Sequence, residues 1–301
     1  MSHRQYTVCL NAVKLLAFAL LLAGWSVFAS EEKSPPLVNL PKGVRVDRDV
    51  AYLPPDRKER ADLYFPSKVE SNIKWPALVV IHGGGWNDGH RDGRREIEIG
   101  GTLAANGYVA MSIDYKLSYG KYAVWPTNLW DCKTAVRWLR KNAAKLGVDP
   151  DRIGVVGGSA GGHLAAMLAL TQPGDGLDPA EPDSNVSCRV KCCVDMYGIV
   201  DVALFHDAKM LGKTVGEAPD IYRRASPITY IRSNSPPILI LQGTADKIVN
   251  PEQSRIFAAV LDKAGVVHEL VLVPGAPHSF DFQPVQRDLR PVVLDFLKEH
   301  L

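Results

Sequence analysis

The chain has 301 residues, 46% of them hydrophobic, enough for one sizeable core and more in keeping with one domain than two. Its formal net charge is +2, and it has neither a basic run of the nucleic-acid type nor an acidic tail. This pattern suggests neither nucleic acid nor a charged surface as a partner. At the N-terminus His3, Arg4 and Lys14 precede an apolar stretch, Leu15 to Ala23, and Val27-Phe28-Ala29 offers small residues before a cut after Ala29. Residues 1–29 therefore read as a signal peptide, which makes the mature protein secreted or periplasmic with no stable membrane anchor after cleavage. The rival reading, an uncleaved anchor, meets an apolar core shorter than the ~20 residues a span needs. No cysteine stands at the cut to carry a lipid.

Residues 30–43 are polar and proline-rich and read as a lead-in, and 44–301 as the folded domain. Strand-like runs follow at Val44 to Asp49, Ala61 to Phe65, Ala77 to His82, Tyr108 to Asp114, Arg152 to Gly157, Val190 to Met196, Pro237 to Gln242 and Val266 to Val273. From Ala77 onward they are continuous apolar runs, as expected of parallel strands covered on both faces. Helical patterns lie between them: Arg94 to Asn106, stopped by Gly107; Asn128 to Leu146, stopped by Gly147; a helix after Asn250 and Pro251, ending before Gly265; and Val285 to Leu301. The alternation predicts a doubly wound α/β sheet. Two stretches interrupt it. Gln172 to Ser187, rich in Pro, Gly and Asp, reads as a surface excursion, and Val202 to Tyr230 as either a lid or a packed surface helix.

Between the fifth strand and its helix the chain reads Gly157-Gly158-Ser159-Ala160-Gly161. By composition G-x-S-x-G is a weak signal, but strand, tight turn and helix are the context that a nucleophile elbow requires. Glycines suit such a turn, where strand and helix leave no room for a Cβ. After the third strand, His82-Gly83-Gly84-Gly85-Trp86 bares successive backbone N–H groups that can face a developing oxyanion. Asp246 and His278 each follow a later strand, where loops of an α/β sheet gather functional groups. The chain order Ser159, Asp246, His278 is that of an acyl-transfer triad on an α/β sheet.

Other residues have blander readings. His82 reads as a buttress of its turn rather than a ligand, and His163 as a packed histidine rather than a second base. Asp195 and Asp201 are less well placed than Asp246 to be the acid. Trp86, Tyr115 and Trp125 suit either pocket walls or core. Of the cysteines past the signal, Cys132, Cys188, Cys192 and Cys193, an even number admits disulfides in an oxidising compartment, and buried thiols are an equal reading. Cys192 and Cys193 are strand neighbours facing opposite ways and are not expected to pair with each other. No spacing resembles a zinc site.

The glycine turn, the elbow, Asp246 and His278 together resemble the hormone-sensitive-lipase-like esterases of the α/β-hydrolase superfamily, in the compact bacterial branch related to feruloyl and acetylxylan esterases. Val50-Ala51-Tyr52, Arg60 to Tyr64, Ser112 to Leu117, Asp131 to Leu139 and Ala225 to Thr229 extend the resemblance over roughly residues 44 to 300. It implies an α/β-hydrolase fold with a mostly parallel eight-stranded sheet and helices on both faces. Ser159 would be the nucleophile, His278 the base and Asp246 its orienting acid. The N–H groups of Gly84, Gly85 and Ala160 would form the oxyanion hole, supported by His82, Gly83, Gly157 and Gly161. No metal or organic cofactor is needed. The implied activity is hydrolysis of short-chain or aromatic acyl esters, carried by small molecules or plant polysaccharide. A prolyl-oligopeptidase-like peptidase is the alternative enzyme, usually built with a separate propeller that this length excludes. A catalytically silent binding protein is the alternative outside enzymes. The usual N-terminal helical cap of the family is short here, which favours an open site and polar substrates.

Overall fold

The computed structural model describes residues 39–67, 74–120, 122–180, 182–205 and 208–301. Residues 1–29, read above as a signal peptide, and most of the lead-in lie outside them. One eight-stranded sheet runs through the domain, built from β1 (Arg45–Val50), β2 (Ala61–Phe65), β3 (Trp75–Ile81), β4 (Val109–Ile113), β5 (Val148–Gly158), β6 (Cys193–Met196), β7 (Ile238–Gly243) and β8 (His268–Val273). Their spatial order is β1-β2-β4-β3-β5-β6-β7-β8. β2 pairs antiparallel with both β1 and β4, and every other pair is parallel. The continuous apolar runs thus belong to the parallel part.

Alternation along each strand divides the core between the two faces of the sheet. Ala77, Val79 and Ile81 of β3 join Leu129, Val136, Leu164 and Phe257 in one cluster. Leu78 and Val80 join Ile97, Leu103, Val293 and Phe296 in the other. Helices α1 (Arg94–Ala105) and α7 (Arg290–His300) therefore cover one face. The other is covered by α2 (Thr127–Lys141), α4 (Ala160–Leu170) and α6 (Glu252–Ala264). Cys192 and Cys193 fall in opposite clusters, and all four cysteines of the domain are free, buried thiols.

Two helical boundaries depart from the periodic pattern for local reasons. The helix expected over 128–146 is divided at Asn142 into α2 and a short α3 (Ala143–Leu146). There the Asn142 side chain donates to the Trp138 carbonyl at 2.9 Å, a local bond that competes with the helical ladder. The last helix starts at Arg290 rather than Val285. Asp288 accepts from the Arg290 N–H at 3.0 Å and sets the start, whereas Val285 is fully exposed. The Asn250 carboxamide accepts from the N–H of Glu252 at 3.0 Å and opens α6 as anticipated. Gly147 and Gly265 end α3 and α6 in the left-handed conformation.

Both interruptions are anchored rather than loose. In 172–187, Leu177 is fully buried and Asp178 pairs with the ammonium of Lys133, which is itself buried. The insert 202–230 carries 3₁₀ turns and the short helix α5 (Pro219–Arg224). Val202, Met210, Tyr222 and Ala225 bury against the face that holds α4. The Met210 carbonyl accepts from Val124 N at 2.9 Å, and that of Ala225 accepts from His163. Among the described residues no helix is long and apolar enough to cross a membrane.

Candidate active site

The parallel strands deliver their loops to one edge, and register brings those loops together. Ile81 lies opposite Gly157, Gly158 opposite Met196, and Gly243 opposite Val273. The glycine turn, the elbow and the loops holding Asp246 and His278 therefore all leave the sheet at neighbouring points.

Ser159 has φ 59° and ψ −122°, a conformation costly for a residue with a Cβ and tolerated where surrounding structure imposes it. Its N–H donates to the Met196 carbonyl at 2.9 Å, and its carbonyl accepts from His163 N at 3.0 Å as α4 begins. With both backbone groups engaged, the hydroxyl projects from the bend and keeps 8% exposure. Close approach explains the glycines. A Cβ on Gly157 would stand 2.2 Å from the Gly161 carbonyl oxygen.

His278 Nε2 stands 2.9 Å from Ser159 Oγ, and its Nδ1 stands 2.6 Å from Asp246 Oδ2. The second oxygen of Asp246 accepts from the N–H groups of Ile248 and Val249, each at 2.9 Å. Burial raises the pKa of this carboxyl, but the bonds from His278, Val249 and Ile248 outweigh it and hold the group below the ordinary aspartate value. Gln242 Nε2 adds a 3.2 Å contact to Oδ2, and Gln242 is held in turn by the Ser254 hydroxyl at 2.9 Å.

The glycine turn lies against the elbow. A Cβ on Gly83 would stand 2.9 Å from the Gly158 carbonyl and 3.3 Å from Ser159 Cβ. Gly84 has φ +106°, and a Cβ there would meet the Asp88 carbonyl at 2.0 Å, while Gly85 has φ +60°. Among the described residues, no protein acceptor takes the N–H of Gly84, Gly85 or Ala160. Ala160 is the first residue of α4, where the helix leaves its N–H groups unpaired and its dipole favours negative charge. His82 braces the turn through Nδ1 on the Gly83 carbonyl at 2.6 Å and stacks on Tyr115 at 4.3 Å between centroids. Burial lowers its pKa and keeps the ring neutral, despite that bond.

The other candidates resolve by their contacts. His163 is fully buried, accepts from Trp86 Nε1 at 3.1 Å and donates through Nε2 to the Ala225 carbonyl at 2.7 Å. Burial pushes its pKa down to about 4, so it is a neutral packing histidine. Asp195 accepts from the Gly198 N–H and Asp201 from the Ala203 N–H; neither bonds to His278. Trp86 and Tyr115 are core residues, 0% and 1% exposed, and Tyr115 also lines the cleft beside Lys116. Trp125 is half-buried against the same core. The exposed aromatics are instead Tyr119 and Tyr122, 68% and 79% exposed. Their loop is pinned to the glycine turn, because Ser118 N and Oγ both donate to the Trp86 carbonyl, at 2.8 and 3.1 Å. The loop borders a cleft of about 500 Å³, walled by Tyr115, Lys116, Leu117 and Tyr119, and another of about 400 Å³, walled by Gly120, Phe205, Val215 and Tyr222. Ser159 lines neither. Among the described residues no cluster of His, Cys, Asp or Glu could hold a metal ion.

Sequence reasoning missed Gln242, Arg95 and Tyr197. None belongs to a motif. Gln242 meets Asp246 and Ser254, four and twelve positions on, whereas Arg95, in the first turn of α1 within a run of charged residues, meets Tyr197 102 positions on.

Comparison with known proteins agrees with this geometry. The BD-FAE family model matches residues 61–261. Esterase LipQ of Mycobacterium tuberculosis is 31% identical over 83% of this chain and 61% of its own length. The chain thus spans little more than half of the mycobacterial esterases it matches, 61%, 53% and 56% of three of them. Among solved structures, a truncated carbohydrate esterase from gut microbiota superposes with a TM-score of 0.75 at 27% identity, covering 85% of this chain and 96% of that one. The propionate-bound esterase 2 of Thermogutta terrifontis superposes with a TM-score of 0.71 at 31% identity, covering 86% and 94%. A family match across two-thirds of the chain, together with a sheet shared with esterases, makes this chain a member of the BD-FAE family with the α/β-hydrolase fold.

Proposed function

We propose that this chain is a serine carboxylester hydrolase in which Ser159 attacks the ester carbonyl. His278 takes its proton and returns it to the leaving alcohol, and Asp246 holds the imidazole. The observation that carries the reading is the chain of contacts from Ser159 Oγ to His278 at 2.9 Å and on to Asp246 at 2.6 Å. Charge that develops on the carbonyl oxygen would meet the free N–H groups of Gly84, Gly85 and Ala160. Loss of one such donor typically costs about 3 kcal/mol of barrier. Water then hydrolyses the acyl-serine by the same groups acting in reverse.

The substrate class we propose is a short or aromatic acyl group on a sugar, as in acetylated or feruloylated plant polysaccharide. Tyr119 and Tyr122, exposed on a loop tied to the glycine turn, offer flat faces for a pyranose ring. The likeness to a carbohydrate esterase and to an esterase crystallised with propionate supports the same class. We further propose that the chain matures by cleavage after Ala29 and acts outside the cytoplasm, on the strength of Lys14, the apolar run Leu15 to Ala23 and Val27-Phe28-Ala29.

The deciding experiment is a chain-length series of p-nitrophenyl esters beside acetylated and feruloylated xylan fragments, with Ser159→Ala as control. The expected result is turnover of short esters and of the sugar-borne esters that is abolished in the variant. A kcat/KM that climbs steadily from acetate to palmitate would overturn the carbohydrate reading. Activity retained by Ser159→Ala would overturn the nucleophile. N-terminal sequencing of exported protein should begin at Ser30.

A further inference from the structure

The loop that carries His278 is held at two places. Before the histidine, Gly275 N donates to Thr244 Oγ1 at 2.9 Å, and Ala245 N donates to the Ala276 carbonyl at 3.1 Å. After it, the Phe280 carbonyl accepts a hydrogen bond from the Tyr197 hydroxyl, which is buried. Ser279, between the two, has φ 65°, and Tyr197 itself has φ 44°, so two non-glycine residues are kept in the left-handed region where this bond forms. The Tyr197 ring also stands edge-on to the His278 ring at 4.8 Å and to the Phe280 ring at 4.6 Å.

Tyr197 is held in turn. Arg95 Nη1 donates to its hydroxyl at 3.2 Å, and Nε and Nη2 of the same guanidinium grip Glu96 Oε1 at 2.8 and 2.5 Å. An arginine donating into a hydroxyl strengthens the bond that the hydroxyl donates onward. This relay touches the other two parts of the site as well. A Cβ on Gly158 would stand 2.9 Å from the Tyr197 hydroxyl and 3.0 Å from Arg95 Nη1, and one on Gly83 would stand 3.1 Å from Arg95 Nη2. One half-buried, ion-paired side chain thus lies against the elbow, the glycine turn and, through Tyr197, the histidine loop.

We infer that Arg95 and Tyr197 form a brace that positions His278 over Ser159, Tyr197 by holding the Phe280 carbonyl and Arg95 by orienting the tyrosine hydroxyl. Both are positioning residues, since neither touches the reacting atoms. The inference rests on the triad reading of the site. Its physical content is that the histidine reaches hydrogen-bonding distance of Ser159 Oγ only while the chain two residues beyond it is anchored. Misplacement of a catalytic group by about 1 Å can cost about a hundredfold in rate.

The test compares Tyr197→Phe, which removes one oxygen and keeps the packed ring, with Arg95→Met and the double variant, on p-nitrophenyl acetate well below each protein's Tm. The expected result is a fall in kcat of about 10- to 100-fold in each single variant with KM nearly unchanged. The double variant should be no worse than the poorer single one, because the two act in series. Inactivation by paraoxon, which reports Ser159 reactivity without turnover, should slow in parallel. A Tyr197→Phe enzyme with a lowered Tm but kcat within about twofold of the parent would reduce the brace to fold support and overturn the proposal. Multiplicative losses in the double variant would overturn the serial arrangement. The triad reading fails separately, and only if Ser159→Ala remains active. Should Arg95→Met not fold, Tyr197→Phe alone decides through the split between kcat and KM.

Discussion

The Cβ that Gly161 lacks would lie 2.1 Å from the carbonyl oxygen of Ile81, the last residue of β3, and 2.5 Å from that of His82. Helix α4 therefore starts in backbone contact with the strand that ends in the glycine turn, and the distance between Ser159 and the N–H groups of that turn is set by two main chains touching. Gly161→Ala must push them apart. We expect a stability loss of about 1–3 kcal/mol in urea denaturation and a fall in kcat of at least about tenfold. Gly174→Ala, in a turn where an added Cβ meets nothing within 4 Å, should change neither appreciably.

Asp246→Asn keeps the shape of the side chain and removes its charge. The carboxylate no longer stabilises the imidazolium, and the amide can bond His278 in the wrong tautomer. The expected outcome is a loss in kcat of about 10³- to 10⁴-fold with KM little changed, read from initial rates at neutral pH. Because the folded carboxyl sits below its ordinary pKa, its contribution to stability is complete above that ordinary value. It is lost as pH falls through the lower, folded one. The variant should accordingly show a shallower acid-unfolding limb below about pH 4.

Two other buried groups give opposing pH dependences. Burial raises the Asp195 carboxyl from 3.8 to about 7, so the folded state binds a proton that the unfolded state has released, and stability falls as pH rises between those values. Burial lowers His163 from 6.5 to about 4, so the unfolded state binds the extra proton and stability rises with pH over nearly the same span. Each slope is about 1.4 kcal/mol per pH unit, and in the native protein they largely cancel. Asp195→Asn should expose a Tm that climbs from pH 4 to 6.5 and exceeds that of the parent at pH 8. His163→Gln should expose the reverse slope. A parallel Tm–pH curve in either variant would refute the assignment for that residue.

Cys132, Cys188, Cys192 and Cys193 are free and buried, with thiol pKa values pushed up by burial, Cys192 to about 12. An aromatic disulfide reagent should titrate none of these four in the native enzyme and all four after denaturation. Dithiothreitol should leave Tm unchanged.

The legible parts of the chain were those where one local rule decides the outcome. The strands β3 to β7 stood out because burial on both faces demands apolar runs, whereas the edge strand β8 is half-exposed. The nucleophile elbow and glycine turn stood out because backbone crowding demands glycine at set spacings. Asp246 and His278 could be read only relative to the strands before them. The division of the long helix at Asn142 depends on one side-chain bond, which periodicity does not register. Trp86 and Tyr115 were ambiguous because an aromatic has the same letter in a wall as in a core, and the folded contacts with His163 and His82 pack both into the core, with Tyr115 also lining a cleft. Arg95 and Tyr197 are 102 positions apart, and no local pattern joins them.

The donors proposed for the oxyanion are all main-chain N–H groups, at Gly84, Gly85 and Ala160. No exchange of side chain other than proline deletes a main-chain donor, whereas the faces proposed to meet the alcohol, Tyr119 and Tyr122, are ordinary exposed side chains. Genetic drift therefore acts unequally on the two halves of the task. The rim can be rewritten residue by residue toward a new ester while the hydrogen-bond donors persist, so lineages carrying this scaffold can diversify in what they cleave without passing through an ancestor that cleaves nothing.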